Sequence, residues 1–386
     1  MRTFIFGAGA SCTYSGSESG VNPPLANNFF EAYEKLAITD PNVKVGSFIN
    51  YVSETRNGDF SKVFKENIED FLSEVDSQIE GLVLNAKSSA ERVSMENRVR
   101  LMELSLVYDQ IVLLFAFVLN TIQNGEVSSQ YSRLVQNLDL DDVLITFNWD
   151  TLLDRALHHS GKWFLGDGYG LDFKLHFKDE WKIVESSPKK SENLLLKLHG
   201  STNWIMPYHT LNFLTGKRVV VQECDTGSTL PIACFESSSG PYKTYKNRYQ
   251  GSYRPFSYYY YPPDMRVCKD DGIIGFVPSM PMIITPVKNK QYDMLDNMLS
   301  SVWKEAEKSI QLTDELLIIG YSFPPTDTRA WQLLKSACEQ RVKKLDIVVI
   351  NPHGKNLAKK LQEFLGEISV VEGRDQTFDD YLTTIV

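Results

Sequence analysis

Cysteine is scarce and unpatterned in this chain. Cys12, Cys224, Cys234, Cys268 and Cys338 are odd in number, scattered, and never spaced as Cys-x-x-Cys. That argues against a disulfide scaffold and against a four-cysteine zinc site. Long apolar runs are missing as well. The most lipid-like stretch, residues 111–119, is about half of the roughly 20 residues that a bilayer crossing needs, and Asp109 and Asn120 flank it. It reads as a buried helix, so no membrane partner is expected. Positive charge is not in excess: 40 Lys+Arg stand against 49 Asp+Glu, a net charge of −9. This argues against broad electrostatic binding to nucleic acid or to an anionic membrane surface. A strand-like run, Thr3-Phe4-Ile5-Phe6, opens the chain and leaves no room for a cleaved leader; with the cysteine usage, the expectation is a cytoplasmic protein.

What is present is an ordinary globular composition, 42% hydrophobic and 23% charged over 386 residues, enough for two or three packed units. Short β-rich runs recur near 3–6, 143–147, 194–198, 282–285, 316–319, 345–350 and 368–371. Helical patterns lie between several of them, as in Leu299, Val302, Trp303, Ala306 and Ile310, whose spacing makes one apolar face. Strands alternating with helices predict an α/β fold with a doubly wound, Rossmann-like parallel sheet. Two stretches break the rhythm. Residues 31–139 read as a helical insertion, and residues 206–279 as a Tyr/Pro-rich, loop-rich insertion that includes Tyr258-Tyr259-Tyr260-Tyr261-Pro262-Pro263.

The chemistry gathers where the strands end. Val143-Leu144-Ile145-Thr146-Phe147 runs into Asn148-Trp149-Asp150, and Leu194-Leu195-Leu196-Lys197-Leu198 runs into His199-Gly200-Ser201. In open α/β sheets that carboxyl edge is where ligands bind. Imidazole is the side chain best suited to proton transfer near neutrality, and His199 is one of only six histidines. Asn148 and Asp150 are two residues apart on one exit. An amide there can hold a ribose hydroxyl or orient water, and a carboxylate can accept from a carboxamide N–H or a hydroxyl. Asp150 has a second reading as the cap of a helix starting at Thr151. Two more exits, Gly320-Tyr321-Ser322 and Asn351-Pro352-His353-Gly354, offer small, hydroxyl and amide groups suited to a pyrophosphate and a ribose, or simple turns.

The first strand feeds Gly7-Ala8-Gly9-Ala10-Ser11. Glycines let backbone N–H groups approach a phosphate closely, and Ser11 adds a hydroxyl. The ordinary dinucleotide fingerprint fails, because Cys12 occupies its third glycine position. Phosphate binding and a plain tight turn both stay open.

The ordered set Gly-Ala-Gly-x-Ser, Asn-x-Asp, His-Gly, Gly-x-Ser and Asn resembles the NAD-binding core of the sirtuin superfamily, over residues 1–30, 140–205 and 280–386. By position, the resemblance implies that Gly7, Ala8, Gly9 and Ser11 bind the NAD phosphates. It implies that Asn148 holds the nicotinamide ribose, Asp150 the carboxamide, and that His199 is the base near the ribose hydroxyls. Gly320 and Ser322 would meet the pyrophosphate or ribose, and Asn351 the adenosine ribose. The departures matter. The family's protein deacylases carry a glutamine where this chain has Phe147, and a zinc ribbon that Cys224, Cys234 and Cys268 cannot build, so no metal is expected. The strings Thr-Phe-Asn-Trp-Asp, Leu-His-Gly-Ser-x-Asn-Trp and Gly-Tyr-Ser-Phe-Pro-Pro-Thr-Asp look more like bacterial sirtuin-like NAD hydrolases of antiphage defence systems.

The resemblance therefore implies a hydrolase that takes NAD as substrate, with Asn148, Asp150 and His199 in catalytic roles. A regulated effector of this kind is expected to act as a homo-oligomer or with a partner such as a HerA-type ATPase or another defence component. A protein deacylase and a non-catalytic NAD- or ADP-ribose-binding assembly module are the alternatives.

Overall fold

The computed structural model describes residues 1–37, 46–88, 94–171, 173, 175–178, 180–183, 190–207, 209–211, 218–220, 233–236, 265–269, 272–277, 279–285 and 296–385. Six strands form one all-parallel sheet, in the spatial order Ser369–Asp375, Leu345–Asn351, Glu315–Ile319, Arg2–Phe6, Val143–Thr146, Leu194–Lys197. Runs of Leu, Ile, Val and Phe form its central strands because both faces are covered. Phe4, Ile5, Leu144, Ile145, Ile318 and Val349 are all essentially inaccessible. Numbered along the chain, the strands lie 3-2-1-4-5-6. The direction of winding thus reverses between Arg2–Phe6 and Glu315–Ile319, and ligands of such folds sit outside the carboxyl ends at that reversal. The doubly wound sheet expected from the sequence is the sheet found.

One expected strand goes elsewhere. The run near 282–285 belongs to Ser279–Ile283, which pairs antiparallel with Gly200–Pro207 in a separate five-stranded sheet. A short apolar run carries no information about which sheet will take it. Short strands also stand in the described parts of 206–279, at His209–Leu211, Arg218–Val220, Ala233–Glu236, Met265–Lys269 and Gly272–Val277. The tyrosine- and proline-rich run at 258–263 lies outside the described residues, as does Cys224.

The helices of residues 29–123 have a core of their own, in which Phe30, Phe48, Phe71, Val75, Leu104 and Phe115 are buried together. Its spine is the helix Met95–Gln123, the one described helix long and apolar enough to cross a membrane, with 67% of its most apolar window buried inside the protein. The Ser94 hydroxyl caps its start by accepting from the Asn97 N–H at 3.2 Å. At its end, the buried Arg155 guanidinium donates to the carbonyls of Gln123 at 2.5 Å and Gly125 at 2.6 Å. A cation there answers both the orphan carbonyls and the negative end of the helix dipole.

At the reversal point the two central strand exits touch backbone to backbone. Gly9 N–H donates to the Gly320 carbonyl at 2.9 Å, and a Cβ on Gly320 would stand 2.2 Å from the Ala10 nitrogen. Gly320 also has a φ of +62°, a conformation that side-chain-bearing residues adopt at a cost. Gly320→Ala is expected to lower stability by at least about 1–3 kcal/mol through backbone strain alone, before the overlap is counted. An unchanged melting temperature in that variant would refute the contact.

Candidate active site

All six strands of the sheet deliver residues to one cavity of about 630 Å³ at their carboxyl ends. Gly7–Gly9, Phe147–Asp150, His199, Gly320–Ser322, Asn351–His353 and Gln376–Phe378 line the sheet side. The opposite wall comes from Pro23, Pro24 and Leu25, from Asn67 and Glu69, and from Phe115 and Leu119 of the long helix. Every site residue expected from the sequence therefore borders the same space.

Their orientations differ. Ala8 is exposed at the head of a four-residue helix, Ala8–Ser11, and Gly9 is half-buried, so the glycine loop presents backbone to the cavity. Gly7 and Gly9 also answer to packing. A Cβ on Gly7 would stand 2.5 Å from the Tyr321 Cα, and one on Gly9 2.8 Å from the Gly320 carbonyl oxygen. Ser11 is buried, and its hydroxyl works inward. It lies 3.0 Å from the Tyr131 hydroxyl, accepts from the Asn148 side-chain amide at 3.1 Å, and hydrogen-bonds Asp150. Ser322 is exposed on the cavity rim. The Asn351 side chain accepts from the His353 N–H at 2.9 Å, an Asx turn that shapes its own strand exit.

Asn148 is the clasp between two exits. Its Nδ2 donates to the Gly7 carbonyl at 3.0 Å and to Ser11, while its own N–H meets the Thr146 hydroxyl at 3.0 Å. Among the described residues no protein group donates to its Oδ1, which stays an acceptor on the cavity wall. Trp149 bonds its indole N–H to the His199 carbonyl at 3.1 Å and tilts its ring against Phe115 at 5.1 Å. Asp150 accepts from the Leu152 N–H at 3.0 Å, so it does help to start the helix Leu152–His159. Burial pushes its carboxyl above the ordinary carboxylate range, against the opposing charge of Lys197.

His199 is buried, and its Nε2 lies 3.3 Å from the Asp327 carboxylate, which is itself 1% exposed. The same carboxylate oxygen accepts from the Tyr321 hydroxyl at 2.6 Å. Imidazole, carboxylate and phenol thus form a continuous chain under the cavity. Phe147 packs edge-on against the imidazole at 4.9 Å and stacks on Tyr321 at 4.3 Å with planes 5° apart. A carboxylate directly ahead of a helix, as Asp327 is ahead of Thr328–Glu339, ordinarily serves as its cap. Asp327 occupies the N-cap position, but its side chain makes no cap bond and turns to His199 instead. The one signal was its place at the end of Gly-Tyr-Ser-Phe-Pro-Pro-Thr-Asp, where two prolines stiffen the path from strand exit to carboxylate. Glu69, Asn67, Gln376 and Thr377 also border the cavity without having been singled out.

Fold and cleft together define a doubly wound α/β protein with a cavity at the winding reversal. No family model matches the chain, and no curated protein matches it. Among solved structures it is similar to a mutant Sir2 homologue in complex with ADP-ribose, with a TM-score of 0.41 and 12% identity over 100% of this chain and 89% of that one. It is similar also to a second Sir2 homologue mutant with ADP-ribose, at TM-score 0.33 and 13% identity over 72% and 74% of the two chains. A mutant Sir2 complex with a peptide and NAD matches at TM-score 0.33 and 12% identity over 100% and 91%. At that distance the likeness assigns no residue a role. Among the described residues no group of three His, Cys, Asp or Glu side chains is placed to hold a metal ion.

Asp150 makes a testable link between the site and stability. Its folded-state pKa is raised, so the native state binds its proton more tightly than the unfolded chain does. Stability is then lost as pH rises from the ordinary carboxyl value of 3.8 through the folded value. Asp150→Asn is expected to melt at a higher temperature than the wild type at pH 7, with the gap closing as the pH falls below 3.8. A lower melting temperature at pH 7 would contradict the burial cost.

Proposed function

We propose that this cleft hydrolyses the nicotinamide–ribose bond of NAD, giving ADP-ribose and nicotinamide. The observation that carries the reading is the meeting, at a winding reversal, of a backbone-lined glycine turn with an amide, a carboxylate and a carboxylate-held imidazole. The dinucleotide lies across the reversal, its pyrophosphate over Gly7–Gly9 and the Gly320–Ser322 exit. Asn351 serves the adenosine ribose. Asn148 Oδ1 accepts a hydroxyl of the nicotinamide ribose or the attacking water, and Asp150 accepts from the carboxamide N–H.

The bond breaks with oxocarbenium character. The electron pair of the glycosidic bond goes to the nicotinamide ring nitrogen and cancels its positive charge, while the water oxygen bonds to the ribose carbon. His199 takes the proton that water gives up, and the Asp327 carboxylate, held by Tyr321, steadies the imidazolium that results. Asp327 is the positioning residue of this pair. Phe147, locked between His199 and Tyr321, stands where the resemblance to deacylases would require a glutamine, which favours water over an acyl group as the acceptor. We place the activity in the cytoplasm, as a regulated antiphage effector that depletes NAD. Its trigger would be self-assembly or a partner such as a HerA-type ATPase bound to the helical wall.

Chromatography of NAD incubated with the purified protein, alone and with its genomic neighbour, is the direct test. Free ADP-ribose and nicotinamide are the expected products. O-acyl-ADP-ribose formed only with an acylated peptide would point to deacylation, and intact NAD in every condition to a binding module. His199→Ala is expected to cost about 10²–10⁴ in rate with NAD binding largely kept. Turnover equal to the wild type would remove His199 from the mechanism.

A further inference from the structure

Lys197 is the one charged residue in the strand Leu194–Lys197, and it is fully buried. Its Nζ donates to the Asp150 carbonyl at 2.5 Å and pairs with the Asp154 carboxylate at 3.0 Å. Asp154 is equally inaccessible, and it accepts a short hydrogen bond from the Tyr169 hydroxyl. Asn203 donates to that hydroxyl at 3.4 Å, and Ser201 donates to Asn203 Oδ1 at 2.6 Å. The result is a fully buried polar network beneath the turn that carries Asn148 and Asp150. An ion pair buried this completely is weak support for stability, since an apolar pair of the same volume commonly does as well. The other three members of the strand are leucines, so a lysine here calls for a reason beyond packing.

We propose that Lys197, paired with Asp154, is a positioning residue for the NAD-cleaving reaction: it holds the Asn148–Asp150 turn through the Asp150 carbonyl. The inference rests on the reading of the cleft given above. The groups facing Asp150 are Lys197 from the neighbouring strand, Asp154 from its own helix, Ser11 from the glycine turn and Tyr131 from the helix Ser129–Gln136. Of the two charges, Lys197 acts on Asp150 more strongly than Asp154 does, so removing both leaves Asp150 easier to protonate. Among the described residues, Lys197 is the cation that opposes the burial of Asp150.

The test compares the wild type with Lys197→Met and with the double variant Lys197→Met/Asp154→Asn, which removes both members of the buried pair. Lys197→Met alone is expected to be destabilised, because Asp154 stays buried without its cation. The double variant is expected to recover the part of the melting temperature that the unpaired Asp154 cost. It should still lose roughly 10²-fold in kcat, the scale of a slight misplacement, with a much smaller change in the KM for NAD. The acid limb of its kcat–pH profile should move to higher pH. A folded double variant with wild-type kcat and an unmoved acid limb overturns the positioning role alone, because the wild type still cleaves NAD. A wild type that leaves NAD intact in the same assay overturns the reading of the cleft, and the role of Lys197 falls with it.

Discussion

The cleft exists because two chain turns meet with no side chain between them. Gly7–Ala10 leaves the first strand and Gly320–Ser322 leaves the fourth, and the hydrogen bond from Gly9 to the Gly320 carbonyl joins them at the point where the winding reverses. That contact fixes the spacing of the two central strand exits. Asn148 then binds the second strand's exit to the same glycine turn, and Tyr321, adjacent to Gly320, fixes Asp327 and through it His199. Each functional group is therefore referenced to one backbone contact rather than to a flexible loop of its own. Preorganisation of this kind is what holding a reacting geometry requires.

The strand exits were legible in the sequence because buried parallel strands are written as uninterrupted Leu/Ile/Val runs, and the polar residues that follow stand out against them. Gly7, Asn148, Asp150, His199, Gly320, Ser322 and Asn351 were all found that way and share one cavity. Sequence spacing gave no access to direction. Ser11 and the Asn148 amide donors turn out to bind the protein itself, because a turn packed this tightly has its own polar groups to satisfy. Asp327 was hidden by a second, equally good use of the same residue type, since a carboxylate ahead of a helix is normally read as its cap. Lys197 was hidden by its company, one polar letter in a run of leucines. The wall formed by Asn67, Glu69 and Phe115 was out of reach, because nothing in a helical periodicity says what its other face will meet.

The floor of the site carries an uneven load of charge. Among the described residues, Asp150 and Asp154 stand against the cation of Lys197, with Tyr131 and Tyr169 supplying hydroxyls around them. Such a cluster is costly to bury, and its cost falls on the turn that holds the candidate chemistry rather than on the sheet below, where the side chains are almost wholly apolar. In Val143–Thr146, Leu194–Lys197 and Leu345–Asn351 the middles are aliphatic and the carboxyl ends polar.

The aromatic contact between Phe115 and Trp149 lies on the seam between two separately packed cores, that of the sheet and that of the helices. The cavity follows this seam. The long helix belongs to both cores: its Val112 is buried with the sheet, while its Leu104, Ile111 and Phe115 are buried among the helices. Through Gln123, which accepts from the Thr151 N–H at 2.7 Å, the end of the same helix is also bonded to the turn that carries Asp150. The helical wall of the cleft and the strand exits facing it are thus tied into one frame rather than hung on separate loops.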